Sequence, residues 1–216
     1  EISPILNKNF GFSIEVPPKN KMTARYELVE PPTVEYDTFS VQDTYVLSKY
    51  PYDSINYGSN NSLIVGSTSR GQAISYVQFD LSNIDLNVRI KKAKFRVYFE
   101  VLNSINLQLY KVNDAWREYN ITYLNQPSSN SFLTNEYVIN IQNRYIEFDV
   151  TKTVEEWIGG TPNNGFRLDS IGEDSIIFKT RESTYSPELF IEYFNNEPIN
   201  FNKSRMPFII TAQDKG

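Results

Sequence analysis

The sequence predicts an all-β chain: a two-sheet antiparallel sandwich of jelly-roll type with one short helix, an N-terminal β-hairpin arm and an extra C-terminal strand. Three observations predict it. Segments in which apolar and polar residues alternate recur at short intervals along the 216 residues, with turn residues between them. Aromatic residues make up 14% of the chain, with 15 Tyr and 14 Phe, and flat rings suit pleated, half-buried surfaces. One segment alone carries a convincing helical period.

The elements follow in order. Phe12, Ile14 and Val16 alternate up to Pro17-Pro18, and Met22, Ala24, Tyr26 and Leu28 alternate up to Pro31-Pro32. Proline cannot donate to a strand ladder, so each pair ends its strand, and Lys19-Asn20 supplies the turn of a hairpin. Strand-like runs then cover 42–48, 62–66, 74–80, 90–102, 105–112, 145–149, 165–170, 175–180 and 188–194. In the clearest, Ala93, Phe95, Val97, Phe99 and Val101 alternate with Lys94, Arg96, Tyr98 and Glu100, so one face is apolar and must meet another sheet. The helix is expected over 151–158, with Val154, Trp157 and Ile158 on one side and Gly159-Gly160 at its end. Segments 113–125 and 127–137 read as loops long enough to carry function. Phe208-Ile209-Ile210-Thr211 reads as a last strand beyond the sandwich. These boundaries divide the chain into an arm (1–38), a sandwich (39–196) and an extension (197–216).

Charge and residue usage remove whole classes of function. The net charge is −5, and Lys and Arg are scattered, so the basic footprint of a nucleic-acid binder is missing. No apolar run is long enough for a membrane helix, so no membrane insertion is expected, and a start at Glu1 reads as a mature or excised fragment. His and Cys are both absent, which removes imidazole bases, thiolates, disulfides and the usual zinc ligands; no cofactor is expected. Glu155-Glu156 and the Asp114/Glu118 pair are the remaining carboxylates with any catalytic look. Adjacent glutamates on a short helix point in different directions, so no catalytic residue is assigned and the chain is expected not to be an enzyme. Asp43, Asp53, Asp80 and Asp85 lack the compact spacing of a calcium loop, so no metal ligand is assigned either.

Several motifs stand in a fixed order from Asp43 to Tyr193: Asp43-Thr44-Tyr45-Val46, Asn56-Tyr57-Gly58, Tyr76-Val77-Gln78-Phe79-Asp80-Leu81, and Trp116, Glu118 and Ile121-Thr122 leading to Asn125-Gln126-Pro127. Phe148-Asp149-Val150-Thr151, Trp157, Asn164-Gly165-Phe166 and Phe178-Lys179-Thr180-Arg181-Glu182 complete the series. In this order and spacing the chain resembles the DNRLRE domain family, bacterial, archaeal and phage β-sandwich modules partly classed with carbohydrate-binding modules. The resemblance implies a noncatalytic sandwich. Tyr123 stands where that family often has Trp, and Thr180 where it often has Ser, which touches any ligand site lined by those residues. Read by themselves, Asn56-Tyr57-Gly58 suits a turn needing positive φ, Asn125-Gln126-Pro127 closes a loop with side-chain amides, Trp116 and Trp157 are core anchors, and Arg181 is expected to brace a loop through a carboxylate such as Asp43 or Asp80.

Two functions are expected to compete. In the first, the chain is a structural or adhesive module of a bacterial surface appendage or phage tail fibre. Its strand-like ends, with Phe12, Ile14, Val16, Tyr26, Leu28, Phe208, Ile209 and Ile210, then pair with a neighbouring copy, because a lone hairpin is marginal in water. In the second, it is a polysaccharide-binding module attached to a carbohydrate-active enzyme. Tyr45, Tyr50, Tyr52 and Tyr57 with Asn56 would form the sugar platform, since ring faces stack on pyranoses while amides bond hydroxyls. The expected partners are further copies, neighbouring modules or a polysaccharide, and the expected location is extracellular, on a cell surface or on a virion.

Overall fold

A computed structural model of the chain describes residues 22–25, 31–86, 88–101, 105–138, 145–195 and 209–212. In chain order the strands are β1 (Met22–Arg25), β2 (Thr33–Leu47), β3 (Ser62–Thr68), β4 (Gly71–Phe79), β5 (Ile90–Val101), β6 (Ile105–Lys111), β7 (Ser131–Val138), β8 (Tyr145–Asp149), β9 (Phe166–Ile171), β10 (Ser175–Lys179), β11 (Glu188–Phe194) and β12 (Ile209–Ala212). Helix α1 (Thr151–Ile158) lies between β8 and β9, and short 3-10 turns occupy Tyr52–Ser54 and Tyr123–Asn125. The chain divides into two compact units, 31–196 and a second made of 1–30 with 197–216.

Residues 31–196 form an antiparallel sandwich, as the alternating pattern predicts. One layer has the order β2–β11–β5–β8. In the other, β2 pairs with β4, β4 with β9, β9 with β6 and β6 with β7, while β3 joins β4 to β10. Strand β2 is long because it serves both layers. Its first half pairs with β11, its second with β4, and the register slips between Ser40 and Gln42, where an extra residue bends the strand from one layer into the other. The tail of β5 makes a similar crossing to β10.

The apolar faces meet as the alternation requires. Ala93, Phe95 and Val97 point inward from β5, together with Phe79, Phe148, Phe166, Phe178, Leu168, Leu189 and Ile191 from the strands around them. Phe95 stacks on Phe166 with centroids 5.0 Å apart and meets Phe79 edge-on at 5.5 Å. Burying one such ring contributes about 1.5–3 kcal/mol. Helix α1 closes this core with Val154, Trp157 and Ile158, and its first residue is fixed by Asp149, whose carboxylate accepts the Thr151 N–H at 3.0 Å.

Three expectations need correction. Residues 33–38 belong to the sandwich and not to the arm, because they form the half of β2 that pairs with β11. Residues 131–138 form β7, where a loop was expected. This strand borders the layer and its described side chains lie half-exposed or exposed, so the strand has no apolar stripe to betray it. In the second unit, β1 pairs antiparallel with β12, Met22 facing Ala212 and Arg25 facing Ile209. The last strand, with Ile209 and Ile210, thus has a partner in its own chain; Phe12, Ile14, Val16, Tyr26, Leu28 and Phe208 lie outside the described residues.

Candidate functional site

The outer face of the β2–β4 pair carries Val46, Ile74 and Tyr76, an apolar surface that water would penalise. The segment after β6 covers it with Val112, Trp116 and Ile121. Trp116 fixes the cover by donating its indole N–H to the Asn164 carbonyl at 2.9 Å, and Tyr76 donates its hydroxyl to Gln126 Oε1 at 2.8 Å. Both tryptophans are buried, as expected of core anchors.

The same segment seals the free edge of β2, which would otherwise offer unpaired backbone groups. The Asp43 N–H donates to Glu118 Oε1 at 3.1 Å, and the Glu118 N–H donates to Gln42 Oε1 at 3.0 Å. Arg181 adds its Nε–H to Glu118 Oε1 at 2.8 Å and a second donor to the Tyr119 hydroxyl at 2.9 Å. The guanidinium therefore braces Glu118, while it is the Arg181 backbone N–H that reaches Asp43 Oδ2, at 2.8 Å. Ser40 donates to the same oxygen at 2.9 Å, whereas Oδ1 has no partner. Asp43 is 2% exposed, and burial pushes its carboxyl up to about 7 against the pull of those two hydrogen bonds.

Asn56 ties in the neighbouring loop. Its amide donates to the carbonyls of Glu118 at 2.7 Å and Ile121 at 2.6 Å, and its Oδ1 accepts the Gly58 N–H at 3.1 Å. Gly58 does not need the positive φ that the motif suggested. A Cβ there would lie 2.5 Å from the Glu118 carbonyl oxygen, so glycine is required by close approach.

Between these braces lies an open groove of about 430 Å3, bounded by Trp116, Ile121 and Pro127 and by the polar side chains of Asp114, Arg117, Asn120, Asn125 and Gln126. Most of the polar groups are already engaged. Asp114 accepts the Ser128 hydroxyl at 2.5 Å and its N–H at 3.0 Å, which hold its carboxyl below the usual range. Asn125 accepts the Thr122 N–H at 2.6 Å and donates to the Asn120 carbonyl at 3.0 Å, so this loop is closed by side-chain amides as its motif predicts. The Arg117 guanidinium and the Asn120 side-chain amide have no protein partner among the described residues, and both residues are exposed. They are the groove's uncommitted hydrogen-bond donors and acceptors. The sequence marks the 113–125 segment as a loop long enough to carry function but assigns neither residue to a ligand site.

The tyrosines expected to form a sugar platform are distributed differently. Tyr45 (3% exposed) and Tyr57 (9%) stack on each other with centroids 4.6 Å apart, and Tyr45 accepts from Asn60 at 2.7 Å. Burial pushes both phenols up. Their faces are spent on each other. Tyr52 is half-buried beneath the Arg70 guanidinium at 5.2 Å, and Tyr50 stands 82% exposed. Asn56 is committed to the backbone of the groove segment. Of the carboxylates with a catalytic look, Glu156 pairs with Lys111, Glu118 with Arg181 and Asp114 with Ser128, while Glu155 is exposed on α1. Among the described residues no group of three or more acidic, His or Cys side chains could hold a metal ion.

A rigid sandwich that carries an open groove with uncommitted donors, in a chain whose acidic side chains there serve as braces, is built as a binding module. The chain belongs to carbohydrate-binding module family 96, whose sequence model matches residues 35–193. The match begins in the first half of β2 and ends in β11, so it covers the sandwich and its groove. No curated protein matches the chain significantly. Membership in a family of binding modules favours the expectation of a carbohydrate binder over that of a fibre component.

Proposed function

We propose that the chain is a noncatalytic polysaccharide-binding module of the DNRLRE type, working outside the cell beside a carbohydrate-active enzyme, and that the groove at 114–127 holds the glycan. The observation that carries the reading is the pair of uncommitted polar side chains, Arg117 and Asn120, in a groove that Glu118, Asn56 and Asn125 hold open. Sugar recognition needs fixed donors and acceptors for hydroxyls beside a wall that accepts C–H groups. Trp116, Ile121 and Pro127 supply that wall.

Electrophoresis of the full chain through gels cast with a panel of soluble polysaccharides tests it. Retardation in at least one gel is expected, with loss of about fivefold to tenfold in affinity for Arg117→Ala and a smaller loss for Asn120→Ala, since each removes one or two hydrogen bonds without touching the core. Unhindered migration in every gel, or retardation that neither substitution changes, sinks the proposal.

Assembly through the chain ends stands as a second reading. Among the described residues β1 and β12 pair with each other alone, and a two-stranded ribbon is marginal in water without further cover. A neighbouring module or a second copy would supply it.

A further inference from the structure

We propose that the outer face of the β2–β11–β5–β8 layer is a second glycan-binding surface, which takes a neutral polysaccharide chain along the row Tyr145, Tyr98 and Tyr185. The inference rests on the carbohydrate-binding reading but uses none of the groove residues. Strand β5 sends Ala93, Phe95 and Val97 into the core, so Lys94, Arg96 and Tyr98 project from the opposite face. Pairing places Tyr98 opposite Tyr145 and sets Arg96 between Glu147 and Glu188. The Tyr98 ring centroid lies 5.7 Å from that of Tyr145 and 5.5 Å from that of Tyr185, which is 57% exposed. The rings touch and are tilted, by 60° between Tyr98 and Tyr145 and by 37° between Tyr98 and Tyr185, so they present edges and partial faces rather than one flat platform, with Tyr185 the most exposed. A ring face accepts the C–H face of a sugar while its hydroxyls reach flanking polar groups.

Those flanking groups are already in place. Tyr98 donates its hydroxyl to Glu188 Oε2 at 3.0 Å, Arg96 donates to Glu147 Oε2 at 2.7 Å and to Glu188 Oε1 at 3.1 Å, and Lys94 pairs with Glu147 at 2.9 Å. The guanidinium also lies 5.5 Å from the Tyr145 ring centroid and 5.7 Å from that of Phe190. Such a lattice fixes the rotamers before a ligand arrives, which lowers the entropy lost on binding. Lys94 and Arg96 are matched by Glu147 and Glu188, and beyond them Lys92 is outnumbered by Glu35, Asp37, Asp149 and Glu192 on the same face, so the face exerts no pull on a polyanion. Hydroxyl-rimmed rings among paired charges suit a neutral, hydroxyl-rich chain.

Amide chemical shifts of the labelled full chain, titrated with cellohexaose, xylohexaose and mannohexaose and with trigalacturonate as the anionic probe, test the proposal. At least one neutral oligosaccharide should shift Tyr98, Tyr145 and Tyr185. Tyr185→Ala should weaken that binding roughly fivefold to tenfold while leaving the urea midpoint unchanged. Tyr98→Phe, which keeps the ring, should weaken it less. Shifts confined to 114–127 overturn the proposal and leave the groove reading standing; shifts confined to the sheet face support it and overturn the groove reading. Silence with every neutral oligosaccharide, a response of this face to trigalacturonate alone, or affinity unchanged in Tyr185→Ala also overturns it.

Discussion

Replacing Asp43 with asparagine should flatten the dependence of stability on pH. Asp43 is almost fully buried, its Oδ1 has no partner, and its carboxyl is raised from 3.8 to about 7 by burial, with Glu182 and Glu118 adding to the rise. The folded state therefore holds the proton more tightly than the unfolded chain does. Its contribution is complete below the ordinary carboxyl range near 4 and is lost as pH rises through about 7. That difference corresponds to about 4 kcal/mol in full, of which about 3 kcal/mol falls between about pH 5 and about pH 8.5. The chain has no His to titrate in that window, and Asp114, Glu147, Asp149 and Glu192 are all held below the usual range. With a urea slope of about 2 kcal/mol/M for a unit of this size, the wild-type midpoint should drop by roughly 1.5 M from the lower pH to the higher. In Asp43→Asn the side chain keeps an acceptor for Ser40 and Arg181 and cannot ionise, so the drop should shrink to a few tenths of a molar. Urea titrations of both proteins at the two pH values read this directly. A wild type whose midpoint does not move, or a variant that falls as steeply as the wild type, would refute the reasoning.

Two further outcomes follow from the same contacts. Gly58→Ala drives a methyl group into the Glu118 carbonyl oxygen at 2.5 Å, so the groove segment must shift; a loss of about 1–3 kcal/mol in urea unfolding, together with weaker polysaccharide retention, is expected, and an unchanged midpoint would disprove the close-approach role. If the chain ends assemble copies, light scattering should give a mass above 25.1 kDa that rises with concentration and returns to that of a monomer when residues 1–30 are removed; the deletion must stop there because β2 begins at Thr33, and a full chain that stays monomeric at high concentration counts against assembly.

The sandwich was legible because its signal is local. Alternation along 90–101 states which side chains are inside, and the bounds of α1 follow from Val154, Trp157 and Ile158 ahead of two glycines. Strand β7 was hidden because its position at the border of a layer leaves it no buried stripe, and the first half of β2 was hidden because Pro31-Pro32 looked like the end of an arm although it precedes the strand. The sugar platform fared differently. Tyr45 and Tyr57 are tyrosines beside turns like Tyr50, and nothing in the alternation tells a ring that will be stacked and buried from one that will stand in water.

By itself the sequence determined the class of fold, the inward faces of most strands, helix α1 and, through its lack of His and Cys, a bias toward binding. Those properties depend on residue type and on spacing of two or four positions, which the chain carries wherever it goes. Only the tertiary structure decided that Arg181 would grip Glu118, that Asn56 would hold the groove segment by its carbonyls, and that Tyr98, Tyr145 and Tyr185 would share one face. These partners lie tens of residues apart, and their meeting is set by strand register and by the bend in β2, where a slip of one position would turn every side chain to the other face.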